Sequence, residues 1–403
     1  MILGCIADDF TGATDLGGLL VRAGARVALY FGVPADVKEV DADVAIIALK
    51  CRTEPVDSAI QQATEAGAWL LKQGAEQLYW KYCSTFDSTP QGNIGPVAEA
   101  LMELTGHKQA LYCPAFPENG RSVFKGHLFV LDELLSESPM RHHPLTPMTE
   151  SSLVKVLEPQ VSGSVGLWQR AAIKAGQQWP DTAHIIADAV EFDDLGSIVD
   201  QAWGEVLLTG GSALAMPIPG RVQLNTTTPV VPEGIGTQSV VLAGSCSAQT
   251  RRQLQSYQHA PRYKINPLEL ATSGIEPIWD WWQQQAPTSA CVIYASDNPA
   301  SVIAVQNQLG TERAGALIEK ALGDLAVRML SAGVARFVVA GGETSGAVCK
   351  ALNVSHVQVG QEISPGVPWT FAQTEHGPIA LALKSGNFGG DNFFSDAFRG
   401  LNG

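Results

Sequence analysis

The feature that most constrains this chain is the alternation of short apolar runs with longer amphipathic segments. Residues 2–7, 27–32, 44–49, 77–82, 110–114 and 184–189 in the first half, and 239–243, 290–295, 336–340 and 379–383 in the second, are apolar and bounded by polar residues or glycine. Near-continuous apolar runs of this length suit strands buried on both faces, and such sheets are parallel, with helices supplying the crossovers. Helices are expected at 14–23, 56–72, 194–208, 248–257 and 311–331, and around 393–398. The expected fold class is α/β, with two α/β domains, largely parallel sheets and a ligand cleft between them.

At 403 residues the chain is long enough for two such domains. The stretch 216–238 is rich in Pro, Gly and Thr and has no sustained helical period, so the junction is placed there. The expectation is one domain at 1–225, a linker at 226–237 and a second domain at 238–403. A second irregular stretch, 136–149, is expected to be a long loop. Its Arg141-His142-His143 lacks carboxylate or cysteine company, so no metal site is expected there.

Lys+Arg number 26 against 40 Asp+Glu, a net charge of −14, and no basic run interrupts that balance. A groove that tracks nucleic-acid phosphates is therefore not expected. No apolar stretch approaches the roughly 18 residues of a membrane span. The seven cysteines are scattered and contain no C-x-x-C pair, which suits a reducing cytoplasm. Homo-oligomerisation is left open.

Polar clusters follow the apolar runs, where ligands of open α/β sheets bind. Asp8-Asp9-Phe10-Thr11-Gly12 joins the first strand to the first helix. Either carboxylate can serve as a general base, and either can instead cap the helix. An aspartyl-phosphate phosphatase would need carboxylates two positions apart, and these are adjacent. Arg52, in Lys50-Cys51-Arg52-Thr53-Glu54-Pro55, can grip a carboxylate bidentately or form a surface ion pair. Lys81 through Thr89 combines a cation, hydroxyls including Ser84, and Asp87, which suits a polyhydroxylated ligand and equally suits a turn. Pro114 to Arg121 reads as a rigid turn that presents a second arginine. The two arginines together can clamp an anion, because local charge outweighs a distant net charge screened beyond about 8 Å.

In the second half, three small-residue turns follow strands: Ala243-Gly244-Ser245-Cys246-Ser247-Ala248-Gln249-Thr250, Ala340-Gly341-Gly342-Glu343-Thr344-Ser345-Gly346, and Lys384-Ser385-Gly386-Asn387-Phe388-Gly389-Gly390. Each can be a tight turn alone; three in one domain point to phosphate binding. There is no G-x-x-x-x-G-K-[ST], no G-x-G-x-x-G after the first strand, and no G-x-S-x-G. Trp279, Trp281 and Trp282 are read as packing.

Together, Asp8-to-Gly12, the 81–87 cluster, Pro114-to-Arg121 with Gly126-His127, and the glycine turns at 341–346 and 386–390 resemble the four-carbon acid sugar kinase family. The resemblance spans residues 2 to about 398. It implies a sugar-acid-binding domain followed by a nucleotide-binding domain, with ATP and Mg²⁺. Within the family, PAFPENGRSVFKGHLFV and SPMRHHPLTPM resemble the 3-oxo-tetronate kinases, which phosphorylate the terminal hydroxyl; threonate or erythronate kinases are the near alternative, and a non-catalytic sugar-acid sensor is the alternative from another class. Carried over by motif, Asp8 or Asp9 would be catalytic, and Arg52, Lys81, Ser84, Asp87 and Arg121 would face the sugar acid. Ser245, Ser247, Gly341, Gly342, Glu343, Thr344, Gly386, Asn387 and Gly389 would face ATP.

Overall fold

The computed structural model describes residues 1–35, 39–143, 146–222, 224, 231–285, 290–297, 304 and 307–401, with the backbone alone at 311 and 312. The chain divides into two compact units, Met1–Thr228 and Pro229–Gly403. Residues 226–230 of the expected linker lie outside the described residues, and a short helix, Ile218–Arg221, occupies part of the stretch expected to be irregular.

In the first unit, strands β1 (Leu3–Ala7), β2 (Val27–Phe31), β3 (Val44–Ala48), β4 (Gln77–Lys81) and β5 (Ala110–Cys113) come first in the chain. A small antiparallel sheet of β6 (Arg121–Phe124), β7 (His127–Val130) and β8 (Glu133–Leu134) follows. Strands β9 (Val165–Trp168), β10 (His184–Ala187) and β11 (Leu207–Gly210) then complete the main sheet. Its order is β2-β3-β1-β4-β11-β5-β10-β9, and every neighbouring pair is parallel. The central strands are solvent-free along their length, as uninterrupted runs such as VAIIA require.

Helix α1 (Phe10–Arg22) carries the chain from β1 to β2, whereas α3 (Ile94–Thr105) carries it from β4 toward β5, on the other side of β1; α2 (Val56–Lys72) bridges β3 and β4. The connections leaving the adjacent strands β1 and β4 thus diverge, which opens a crevice at their carboxyl ends.

Two sequence expectations shift here. The first helix begins at Phe10 rather than residue 14, because Asp9 caps it. The helix expected over 194–208 is Phe192–Ala202: Gly204, at φ 79°, turns the chain, and Leu207–Gly210 becomes β11.

The second unit contains β12 (Ser239–Ala243), β13 (Arg262–Lys264), β14 (Cys291–Tyr294), β15 (Arg336–Ala340), β16 (His356–Ser364), β17 (Val367–Thr374) and β18 (Gly377–Lys384). Strands β13-β14-β12-β15-β18 are parallel, and β17 and β16 extend the sheet antiparallel. The sheet is therefore mixed. Trp369, Phe371, Phe393 and Phe394 pack with Val241 and Val338 in its core, and Trp369 Nε1 donates to the Ala397 carbonyl at 3.1 Å, tying helix Phe393–Gly400 to the sheet. Trp279 and Trp282 stack at 5.0 Å and Trp281 packs on Tyr263, so the tryptophan cluster is packing. Among the described residues no helix is long and apolar enough to cross a membrane.

Candidate active site

The carboxyl ends of β1, β3 and β4 lie side by side, with Ala7 in register with Ala48 and Lys81. The residues that follow these positions form the first polar cluster. Arg52 donates through Nε to Asp8 Oδ2 at 2.7 Å and through Nη2 to Asp8 Oδ1 at 2.9 Å, and Nη2 also lies 2.9 Å from Asp9 Oδ1. One guanidinium therefore bridges the two carboxylates. Asn93 braces the turn that carries Arg52, donating to the carbonyls of Cys51 at 2.7 Å and Glu54 at 2.9 Å.

The two carboxylates differ in environment. Asp8 is 3% exposed, and burial pushes its carboxyl above the usual range against the pull of Arg52. Asp9 is more open. It accepts the Gly12 N–H at 3.0 Å and the Thr11 hydroxyl at 2.9 Å. Burial raises its pKa, but Arg52, Lys81, Thr11 and Gly12 together outweigh this and hold it below the usual range. A Cβ at Gly12 would collide with the Lys81 ammonium and Asp9 Oδ1, so glycine is what lets α1 start this close to the buried lysine.

Beyond β4, Cys83 Sγ lies 3.0 Å from Thr85 Oγ1, which donates to Asp87 Oδ1 at 2.6 Å. Burial raises the Cys83 thiol to about 11, with Asp87 adding to the rise. Ser84 packs beside Gly211, at the end of β11. The buried Phe86 adopts φ 54°, a strain of about 1–3 kcal/mol for a non-glycine residue and one that clusters at functional turns. Arg121 opens the hairpin β6–β7, where its Nη1 donates to the Asn119 carbonyl. It makes no hydrogen bond to the Asp8–Asp87 cluster among the described residues.

In the second unit, Ala243, Ala340 and Lys384 stand in one register line across β12, β15 and β18. The three glycine turns begin one residue past that line and so meet. Gly341, at φ 128°, and Gly244 would each meet Thr344 Oγ1 with an added Cβ, and Gly386 would meet Ser245 Oγ. A cavity of about 370 Å³ opens over them. Ser245, Gly341, Gly342, Glu343, Thr344 and Gly386 line its polar end, and Ile265, Pro267, Ala314 and Ile318 supply apolar wall. Helix Gly342–Ala351 starts at this polar end, where its first N–H groups favour an anion. Ser247 does not line the cavity. It caps helix Ala248–Ser256 by accepting from Thr250 N, and its hydroxyl donates to the Gly386 carbonyl at 2.6 Å. Gly389 also lies outside the lining, with its carbonyl held by Gln249 at 2.8 Å and Gln253 at 3.0 Å; Asn387 is exposed.

Two family models match the chain: a sugar-binding N-terminal domain over residues 3–218 and a nucleotide-binding C-terminal domain over 240–394. The chain belongs to the four-carbon acid sugar kinase family. Among the relatives of this kinase, a 3-oxo-tetronate kinase of Pseudomonas fluorescens is 48% identical, covering 100% of this chain and 97% of the relative. A 3-oxo-tetronate kinase of Salmonella typhimurium is 40% identical over 98% of each chain. A solved structure from Salmonella typhimurium LT2 superposes with a TM-score of 0.88 at 39% identity, and one of a Haemophilus influenzae DUF1537 protein with 0.82 at 36%, each covering 99% of both chains.

Three residues at the second cluster have no role that the sequence assigns, although Lys384 and Thr250 stand within the quoted turns. Lys384 is fully buried at the end of β18, and Thr250 and Gln253 are fully buried on helix Ala248–Ser256. A polar residue on an amphipathic helix gives no sign of which way it faces. The charged residue closing the apolar run of β18 was the one available signal.

Proposed function

We propose that this family member is an ATP-dependent 3-oxo-tetronate kinase, which transfers the γ-phosphoryl group to the C4 hydroxyl in four-carbon sugar-acid catabolism. The observation that carries the reading is the convergence of three glycine turns, each beginning one residue past a shared register line, around a cavity lined by both polar and apolar residues. The polar lining suits a triphosphate and the apolar wall suits a nucleobase. The full-length similarity to proteins named 3-oxo-tetronate kinase supports the substrate class.

In the first unit we assign Asp9 as the base. Asp8 has both oxygens committed to Arg52 and is nearly sealed, whereas Asp9 is partly open. The C4 oxygen bonds to the γ-phosphorus as the bond to the β,γ-bridging oxygen breaks. The hydroxyl proton passes to Asp9, and ADP leaves. Arg52 Nη1 has no protein acceptor among the described residues, which supports a contact from it to the sugar acid. Arg121 Nε, buried and without a protein partner there, supports the same role. Lys81, Ser84 and Asp87 complete this sugar-acid site. Most of the acceleration then comes from positioning and electrostatics.

Glu319, Glu343 and the hydroxyls of Ser245 and Thr344 offer hard oxygens on the cavity wall, while Asp297 is paired with Lys264 at 2.7 Å. Among the described residues no three His, Cys, Asp or Glu cluster as a metal site, so Mg²⁺ would be held there mainly by the phosphates themselves with one or two of these oxygens. When bound there, Mg²⁺ would neutralise phosphate charge. Seven free cysteines support a cytoplasmic setting.

The test is ADP release by the purified protein, coupled to a spectrophotometric readout, over 3-oxo-tetronates, threonate and erythronate. The reading predicts the highest kcat/KM on a 3-oxo acid. Equal or better rates on the reduced acids would contradict the substrate assignment, and no turnover on any four-carbon acid would contradict the activity.

A further inference from the structure

Lys384 sits at the floor of the phosphate turns, at 0% exposure, and among the described residues none of its hydrogen bonds is to a carboxylate. Its Nζ donates to Thr250 Oγ1 at 3.2 Å and to the Gly386 carbonyl at 3.1 Å, and lies 6.0 Å from the centre of the Phe393 ring. The ionisable groups of the elements packed around it are engaged elsewhere or stand apart. Arg251 donates to the Asp297 carbonyl, Arg252 pairs with Asp391, and Arg399 pairs with Asp396. Cys246, on a neighbouring turn, points its thiol at the Gly244 and Ala295 carbonyls, and the hydrogen bonds of Lys384 among the described residues go to Thr250 and Gly386 rather than to Cys246 or Glu343. An ammonium buried without a counter-charge is costly, and burial draws this one down to about 7.

The Gly386 carbonyl is an oversubscribed acceptor. It receives Ser247 Oγ at 2.6 Å, Thr250 Oγ1 at 2.9 Å and Lys384 Nζ at 3.1 Å. A carbonyl has two lone pairs, so three donors compete for it, and a charged donor is the strongest of the three. In a trans peptide the carbonyl and the following N–H point in opposite directions. Drawing the Gly386 carbonyl onto Lys384 therefore turns the Asn387 N–H away from the interior, and among the described residues that N–H has no protein acceptor.

We propose that Lys384 is a positioning residue for the nucleotide: its ammonium form anchors the Gly386–Asn387 peptide as a phosphate donor and supplies the counter-charge beneath the cradle, so that nucleotide binding is coupled to proton uptake at Lys384. This rests on the nucleotide site proposed above. A bound polyphosphate stabilises the ammonium, raises its pKa and draws a proton from solvent wherever the free protein holds the amine neutral. The coupling is therefore visible just above neutrality and absent well below it, where Lys384 is already charged.

The experiment is calorimetric titration of the full chain with Mg·ADP at pH 7.5 and pH 6.0, in buffers of differing ionisation enthalpy, for the native protein, Lys384→Met and Lys384→Arg. The native protein is expected to take up about half to one proton per nucleotide at pH 7.5, and much less at pH 6.0. Lys384→Met is expected to bind about 10–100-fold more weakly with no uptake, and to melt no lower than the native protein, because it removes a buried charge of similar volume. A lowered melting temperature would mark Lys384 as a structural prop instead. Lys384→Arg, charged at both pH values, is expected to bind more tightly than Lys384→Met and also without uptake. Native binding with no proton uptake, or an unchanged affinity in Lys384→Met, would overturn this inference while leaving the nucleotide site standing. Failure of the native protein to bind Mg·ADP at all would overturn both.

Discussion

Replacing Arg52 by Met isolates the electrostatics of the first cluster. Arg52 satisfies both oxygens of Asp8 at 2.7 and 2.9 Å, and Asp8 is 3% exposed. Removing one partner of a buried pair leaves an uncompensated charge, at a cost of about 3–5 kcal/mol. Asp8 can relieve that cost by taking up a proton. Its folded pKa already lies above the usual value and would rise further without the guanidinium. A carboxyl whose folded pKa exceeds its unfolded one favours folding fully below the unfolded value, near pH 4, and loses that contribution as pH rises through the folded value. The destabilisation of Arg52→Met must therefore grow with pH. Urea denaturation at pH 5.5 and pH 8 should show a loss of about 3–5 kcal/mol at pH 8 and a smaller one at pH 5.5. Adding Asp8→Asn to Arg52→Met removes the stranded charge and should recover most of the loss. A loss of under about 1 kcal/mol, or a double variant no more stable than the single one at pH 8, would refute the reasoning.

Two further perturbations separate the roles in the sites. Asp9→Asn should lower kcat by about 10²–10⁴ with little change in melting temperature, since Asn caps a helix as well as Asp, whereas a larger kcat loss in Asp8→Asn would reverse the assignment. Because Asp9 is held below the usual carboxylate range, the native kcat should stay on its base-competent plateau down to about pH 5, and a fall between pH 7 and 6 that Asp9→Asn abolishes would contradict this. Gly386→Ala would drive a Cβ into Ser245 Oγ and crowd Ser247 Oγ at 3.0 Å; KM for ATP should rise about 5–100-fold while KM for the sugar acid holds, and equal changes in both would place Gly386 outside the nucleotide site.

Most parallel strands of both sheets were legible because a fully buried parallel strand is an uninterrupted apolar run, as VAIIA and RFVVA are, whereas the outermost strands β9 and β13, only partly buried, were not. Strands ending the same way, in Asp8-Asp9 or in glycine turns, pointed to the carboxyl edges where the polar clusters stand. The antiparallel pair β16–β17 was not legible. His356–Ser364 is only partly buried and mixes polar with apolar residues, and its pairing with β17 carries register shifts, so it shows neither a continuous run nor a clean alternation. Strand β11 was hidden because its LLTG follows a helix with a single glycine turn between them. At the sites, the residue types could be read but not their division of labour. That Arg52 ties down Asp8 depends on β3 lying beside β1, and that Lys384 reaches Gly386 depends on the turn after β18 folding back under the cradle. Both are long-range or conformational facts that spacing along the chain does not encode.

The most direct test of the account is a crystal structure of the protein with a non-hydrolysable ATP analogue and Mg²⁺. The account predicts the β- and γ-phosphates within hydrogen-bonding distance of the backbone N–H groups of Gly342–Thr344 and Asn387, with the base against Ile265, Pro267 and Ile318. A nucleotide bound elsewhere, with those turns contacting no phosphate, would contradict it.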